Sequence, residues 1–282
     1  MPLSEPHVPY CGTPPLPEAI WGRWNLNPVL VAVLIAGLVA YLAGERVLAD
    51  RSGHSRRGET ALFMVGWLLL SLTLVSPLCA LSVALFSARI GQHMLIATVA
   101  MPLVALGRPL PRLHAVFGRE LPGGDFLANK IVSSLLFALF LWLWHTPVFY
   151  AATFRSDLVY WGMHVTMAGS AFLLWHGLLT RGLDEPFIAF GCGFATTLQM
   201  SLLGAILTFA QHPLFAEHLP TAATWGSTPV SDQQLGGLLM WIPGCTVVIV
   251  AGIALLGQVL HSLDADPRRE GERGERSAPA IW

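Results

Sequence analysis

The chain has 282 residues, of which 54% are hydrophobic and only 12% are charged. A soluble domain carries about a quarter charged residues, so this composition excludes an ordinary soluble globular protein. The net charge of −1 leaves no basic surface and argues against nucleic acid as a partner. Apolar stretches of about 20 residues recur along the chain and predict an all-α, polytopic membrane protein.

Seven apolar segments follow one another in chain order, each close to the length that a helix needs to cross a bilayer. They are Pro28–Leu48, Thr60–Leu81, Leu85–Leu106, Lys130–Phe149, Leu158–Leu179, Phe187–Ala210 and Leu235–Leu260. We therefore predict a seven-helix transmembrane domain over residues 28–260. The second and third segments are separated by so few residues that we expect a tight helical hairpin.

Both ends of the chain differ in composition from this domain. Residues 1–27 are rich in proline and lack the basic start and apolar core of a signal peptide, so we expect an N-terminal tail leading into the first span. Residues 261–282 are rich in charged residues and nearly free of aliphatic side chains beyond residue 263. We expect this C-terminal tail to be disordered, because it cannot bury enough apolar surface to fold.

The basic residues indicate the orientation of the helices. They cluster after the first, third, fifth and seventh segments. Arg46, Arg51, Arg56 and Arg57 follow the first; Arg108, Arg112, Arg119 and Lys130 follow the third; Arg181 follows the fifth; and Arg268, Arg269, Arg273 and Arg276 follow the seventh. The alternate connections hold only Arg23, Arg89 and Arg155. Because cytoplasmic loops carry the excess of Lys and Arg, we predict an N-terminus outside and a C-terminus in the cytoplasm.

The four cysteines, Cys11, Cys79, Cys192 and Cys245, are scattered and form no CxxC pair. They resemble neither a disulfide framework nor a zinc site. We interpret them as small buried residues and leave open a contact between Cys11 and Cys79.

Three histidines on three different predicted helices lie at similar depth in the outer leaflet of the membrane. At a rise of 1.5 Å per residue, His93 lies about 12 Å, His145 about 6 Å and His164 about 9 Å below the outer boundary. Ionisable groups inside a membrane by default face the bundle interior and indicate function. The alternative is a structural role in hydrogen bonds between helices.

Neutral imidazoles bind copper, zinc or iron, and thioether sulfur adds a preference for Cu⁺. The favoured site is therefore a metal centre at His93, His145 and His164. Further polar or sulfur-containing residues are expected close to it, as an additional ligand or as groups that orient the ligands: Arg89, Gln92, Met167, Asp232 and Gln233.

A haem b is the main alternative occupant of these histidines. Two haems stacked across a membrane require paired histidines on each of two helices, and only the fifth segment has such a pair, His164 and His176. These two are about 18 Å apart along the helix and point about 120° apart around it. The two-haem pattern therefore fails, while a single haem between two of the three outer histidines stays open.

Several motifs resemble the CtaG-like cytochrome c oxidase assembly family. The motifs that show this resemblance are Trp24–Pro28, Arg89–Leu95, Pro102–Pro109, the Trp-His-Thr-Pro sequence Trp144–Pro147, and Ser231–Gly237. Together they extend over nearly the whole chain. One departure is Tyr160, which stands where the family often has the first histidine of a His-x-x-x-His pair in the fifth span.

The resemblance implies an assembly factor of the bacterial inner membrane rather than an enzyme. It implies delivery of copper to the catalytic subunit of a haem–copper oxidase, with a periplasmic copper donor as a further partner. No nucleophile–base arrangement, phosphate loop or acidic pair lies inside the predicted bundle. The alternatives are a membrane redox protein with a single haem b and a metal-free assembly scaffold.

Overall fold

A computed structural model describes residues 7–52, 56–118, 124–180 and 185–264 of the chain. The regular elements within these ranges are helical and include no strand, which confirms the all-α prediction. The α-helices are α1 (Pro28–Ser52), α2 (Arg57–Val75), α3 (Leu78–Ala84), α4 (Phe86–Met94), α5 (Met101–Leu106), α6 (Pro109–Phe117), α7 (Gly124–Leu127), α8 (Lys130–Trp144), α9 (Pro147–Arg155), α10 (Asp157–Trp175), α11 (Pro186–Phe209) and α12 (Pro229–Asp264).

Short segments of other helical types complete the described fold. Two π-helical segments are Leu95–Ala100, between α4 and α5, and His176–Thr180, after α10. Three 3₁₀ turns are Pro17–Gly22, Ala216–His218 and Ala222–Trp225. The predicted disordered tail lies outside the described residues from position 265 onward.

Several helices have the length and apolar character of membrane spans. Four continuous stretches qualify among the described residues: Pro28–Arg51, Arg57–Val75, Phe86–Leu106 and Pro186–Phe209. A fifth is formed if α8 and α9, which meet at an angle of 74°, are taken as one span. These helices fit a membrane protein; the total of seven spans and the orientation of the two termini stay predictions.

The second and fourth predicted segments are wrong, because each was predicted as one continuous helix and each is broken in the structure. The second ends at Val75 rather than Leu81, since Ser76 is extended before Pro77 and a separate short helix, α3, follows. The fourth breaks after Trp144, where Thr146 is extended before Pro147. In both cases the residue before proline is sterically driven out of the helical conformation.

The third predicted segment lies at the centre of the fold. In the span Phe86–Leu106, 72% of the residues of its apolar stretch are buried, compared with between 17% and 33% in the other three continuous spans. Its first part packs on α12, and its last part packs on α2 and α10. Polar side chains on this span therefore face other helices rather than lipid.

A proline explains why this central span is not a regular α-helix throughout. Pro102 has no N–H, and in a regular helix its ring would collide with the carbonyl of Thr98. The chain widens into the π-helical turn Leu95–Ala100 directly before it. Single π-turns of this kind occur frequently at functional sites.

Glycines allow α12 to approach its neighbours closely. A Cβ on Gly237 would lie 2.7 Å from the Gly204 carbonyl oxygen of α11, and one on Gly236 would lie 2.6 Å from the ring of Phe86 at the start of α4. No side chain fits at either position without displacement. The close approach places the beginning of α12 against the beginning of α4.

The N-terminal tail is attached covalently to the bundle. Cys11 and Cys79 form a disulfide with a Cα–Cα distance of 5.4 Å, so the interpretation of these two cysteines as separate small buried residues is wrong, and the contact left open is a covalent bond. A sequence separation of 68 residues leaves no local pattern from which the pairing could be predicted. Cys192 and Cys245 are free and buried, as expected.

Candidate functional site

Two of the three predicted ligands meet in the interior of the bundle. The rings of His93 on α4 and His164 on α10 have centroids 5.4 Å apart and stand edge to face at 73°. Only 4% and 5% of these residues, respectively, are exposed. The structure thus brings the two imidazoles into contact.

The hydrogen bonds of two histidines define which ring nitrogen is free. His164 Nδ1 lies 3.2 Å from the Tyr160 carbonyl oxygen, and His145 Nδ1 lies 2.6 Å from the Leu141 carbonyl oxygen. Because a carbonyl oxygen only accepts, Nδ1 of a neutral ring carries the hydrogen in both residues. Their Nε2 atoms therefore present lone pairs.

Four buried ring nitrogens of the three predicted ligands have no hydrogen-bond partner within the described part of the protein. They are Nε2 of His145, Nε2 of His164, and both Nδ1 and Nε2 of His93. Buried polar atoms are nearly always paired, so each unpaired one needs an explanation. Neutral imidazole nitrogens with free lone pairs are suitable ligands for copper or another transition metal.

His145 occupies a different position from the one expected. It caps the C-terminus of α8 at the break before α9, instead of lying inside a continuous helix. The residue is buried, with 6% of its surface exposed. Even so, the described residues include no group of three His, Cys, Asp or Glu side chains arranged to hold a metal ion. A three-histidine site stays a prediction.

Arg89 lies one helical turn before His93 and is almost completely buried, with 2% of the residue exposed. Its guanidinium donates to the Thr153 hydroxyl at 2.6 Å and lies 3.8 Å from the Met163 sulfur. The faces of Tyr150 and Phe154 surround it, with ring centroids 4.8 and 4.5 Å away. Every one of these neighbours is uncharged.

Asp232 caps the helix that carries His93. Its carboxylate accepts from the backbone N–H of Phe86 at 2.7 Å, from that of Ser87 at 3.2 Å, and from the Ser87 hydroxyl. These donors belong to the first turn of α4, which has no cap of its own from Leu85. Asp232 thus fixes α4 from the opposite helix, and its role as a ligand stays a prediction.

Gln92 and Gln233 connect elements around the histidines. Gln92 donates to the Thr73 carbonyl oxygen of α2 at 2.7 Å, while its own oxygen Oε1 has no partner among the described residues. Gln233 accepts from the backbone N–H of Leu214 at 2.6 Å and so holds the connection between α11 and α12. Both side chains are buried and hold neighbouring backbone segments, and their predicted roles as ligands or ligand-orienting groups stay predictions.

The sequence interpretation did not identify Thr153 or Tyr160 as part of this region. Tyr160 stacks on His164 with ring centroids 4.4 Å apart, and its hydroxyl lies 3.1 Å from Cys11 Sγ. The only indication in the sequence that Tyr160 belongs to this region was its position, where the family often has a histidine. Met167, which was identified, is buried at 3% exposure in the hydrophobic core.

A second buried pair lies beside Arg89. Tyr150 and His218 share a hydrogen bond of 2.5 Å between the phenol oxygen and Nε2. His218 lies in a turn between α11 and α12, and burial, reinforced by the positive charge of Arg89, lowers its pKa to about 3. His218 is therefore uncharged at neutral pH and adds no positive charge to the region.

The haem alternative is constrained by the packing of the histidines. The rings of His93 and His164 are in edge-to-face contact, which leaves no gap for a porphyrin between them. His176, the other histidine of that region of the chain, bonds to the Thr180 hydroxyl at 3.0 Å and stacks on Phe172. Binding of a haem between His93 and His164 would require the two helices to separate.

Comparison with known proteins places this chain in a family. The family model for the cytochrome c oxidase caa3 assembly factor matches residues 39–262. Uncharacterised proteins of Mycobacterium bovis and Mycobacterium tuberculosis are each 24% identical over 310 aligned positions, which include 95% of this chain. The chain spans only 43% of the length of these relatives. No solved structure matches. The chain belongs to the cytochrome c oxidase caa3 assembly factor family.

Proposed function

We propose that this assembly factor holds copper as its cargo at His93, His145 and His164 and passes it to the catalytic subunit of a haem–copper oxidase. The observation that carries the proposal is the set of four unpaired imidazole nitrogens buried in the bundle interior. The family description supports the part of the proposal that concerns oxidase assembly. The role is binding and transfer, and the protein is not an enzyme.

The side chains around the histidines would prepare them for a metal ion before it arrives. Carbonyl oxygens hold Nδ1 of His145 and His164, so that Nε2 of each ring is directed away from its own helix backbone. Hydrogen bonds of this kind fix the tautomer and raise the basicity of the ligand. Asp232 and Gln92 hold the two ends of α4, and with it His93.

The proposed site lies in the outer half of a seven-span bundle in the inner membrane, with the N-terminus outside. The disulfide between Cys11 and Cys79 supports this orientation, because disulfides form and persist on the oxidising side of the membrane. Tyr160 connects this disulfide to His164. A periplasmic donor could then load the site from the same side that carries the disulfide.

Copper retention by the purified full-length protein tests the proposal. We expect copper that co-purifies, or binds on titration of the reduced protein, to be lost from a His93→Ala/His164→Ala double variant. A His114→Ala variant is the matched control, since His114 is exposed on α6, distant in sequence from the site. Equal copper in all three proteins would refute the proposed site.

A metal-free scaffold is the second candidate, favoured by the lack of a three-ligand metal cluster among the described residues. Complementation separates the two functions. If the protein acts as a scaffold, the His93→Ala/His164→Ala variant restores oxidase assembly fully in a strain without the native protein. If it carries copper, the variant restores little. An absorption spectrum of the purified protein tests for a haem b, which would give a Soret band.

A further inference from the structure

Arg89 is a buried positive charge without a negative partner. None of the ion pairs formed by the described residues includes it. Its contacts are a hydroxyl, a thioether and aromatic faces, and its Nε has no partner within the same ranges. Placing an uncompensated cation in an apolar span is costly, which indicates that the charge itself has a function.

The charge lies close to the histidines. The guanidinium carbon is 5.9 Å from the centre of the Tyr160 ring, and that ring is 4.4 Å from the ring of His164. The guanidinium carbon is therefore at most about 10 Å from the centre of the His164 ring. Arg89 also precedes His93 by four residues on α4, which is a rise of about 6 Å along the helix. A cation bound by these rings would experience its repulsion.

The proposed ligands do not offset this repulsion. They are neutral imidazoles. The carboxylate of Asp232 would attract a bound cation, but it contacts Phe86 and Ser87, which precede His93 by seven and six residues, whereas Arg89 precedes it by four. Repulsion grows in proportion to the charge of the bound ion. At 10 Å and an effective dielectric constant of about 20, each unit of charge lowers affinity about 15-fold.

We infer that Arg89 makes the site selective for a monovalent cation, so that the cargo is Cu⁺ and divalent ions are disfavoured. The inference rests on the proposed metal-binding function. A selective device is needed because imidazole ligands alone bind Cu²⁺ and Zn²⁺ well. Arginine suits this task, since it keeps its charge in every protein environment.

Affinities of the full-length protein for Ag⁺ and Zn²⁺ test the inference, with Ag⁺ as a redox-stable monovalent probe. Arg89→Met removes the charge and puts an uncharged, unbranched side chain in its place. We expect the ratio of Zn²⁺ affinity to Ag⁺ affinity to rise about 15-fold. Arg89→Lys keeps the charge and should retain the wild-type ratio. Competition with coloured chelators gives both affinities on the same preparation.

A second variant neutralises the charge without removing it. Thr153 is the hydrogen-bond partner of Arg89, so Thr153→Asp would place a carboxylate beside the guanidinium. The affinity ratio should rise in this variant as well. It therefore provides a result even if Arg89→Met does not fold.

The outcomes distinguish this inference from the function on which it rests. An unchanged affinity ratio in Arg89→Met and Thr153→Asp, with metal binding still dependent on His93 and His164, overturns the role of Arg89 alone. A wild-type protein that binds neither ion through His93 and His164 overturns the proposed function and the selectivity together. A raised ratio in both variants supports the inference.

Discussion

Replacing Asp232 with alanine removes the acceptor that closes the first turn of α4. Three donors lose their partner at once: the backbone N–H groups of Phe86 and Ser87, and the Ser87 hydroxyl. Phe86 and Ser87 are 1% and 6% exposed, so water does not readily replace the carboxylate. The substitution therefore perturbs both the stability of the bundle and the position of His93, which lies two turns further along the same helix.

The magnitude follows from the bonds that are lost. Loss of a helix N-cap costs about 0.5–2 kcal/mol, and a buried N–H left without a partner costs about 1–3 kcal/mol. With two N–H groups affected, we expect Asp232→Ala to lower the free energy of unfolding by about 2–4 kcal/mol. Asp232→Asn keeps one acceptor oxygen and should lose about half of that. Ser87→Ala removes only the hydroxyl and should cost about 1 kcal/mol.

Unfolding of the purified protein in mixed micelles, followed by circular dichroism, gives the three differences on a common scale. Metal affinity measured on the same samples should fall most in Asp232→Ala, because α4 loses its fixed start. The reasoning is refuted if Asp232→Ala unfolds at the same denaturant fraction as the wild type, or if Ser87→Ala is as destabilising as Asp232→Ala.

Two further predictions concern His218 and the contact between α11 and α12. The pKa of His218 is lowered to about 3 in the folded state, whereas an unfolded histidine has a pKa of about 6.5. Between these two values the unfolded chain binds more protons than the folded protein. The free energy of unfolding should therefore fall by up to about 1.4 kcal/mol per pH unit on acidification through that range. His218→Gln should remove this component of the pH dependence, as measured by thermal unfolding at pH 7 and pH 5, whereas an identical dependence would contradict the assignment. Gly237→Ala places a Cβ 2.7 Å from the Gly204 carbonyl oxygen and should cost about 1–3 kcal/mol. Gly252→Ala, with no heavy atom within 4 Å of its Cβ, is the matched control and should be neutral or stabilising.

The sequence is sufficient to predict the class of fold because the hydrophobic pattern is a local property. Apolar runs of the length of a membrane helix predict α1, the central span and α11 within a few residues. The breaks were missed although their cause is visible, since Pro77 and Pro147 lie inside apolar runs. A proline within such a run can kink a helix or end it, and packing of the neighbouring helices decides which occurs.

The candidate site was predicted as far as depth along a helix can be calculated. That calculation places His93 and His164 at similar depths in the membrane, and the structure brings their rings into contact. It could not identify the cap that Asp232 provides to α4 or the disulfide, because these join residues 146 and 68 positions apart. Rotation of each helix about its axis, which determines such contacts, is set by tertiary packing and has no local signal.

Copper K-edge X-ray absorption of the loaded full-length protein tests the central claim most directly, because it reports the atoms bound to the metal. The account predicts nitrogen ligands with the multiple-scattering pattern of imidazole, and loss of that signal in His93→Ala/His164→Ala but not in His114→Ala. A spectrum dominated by sulfur, or an imidazole signal that survives the double substitution, would contradict a copper site at these histidines.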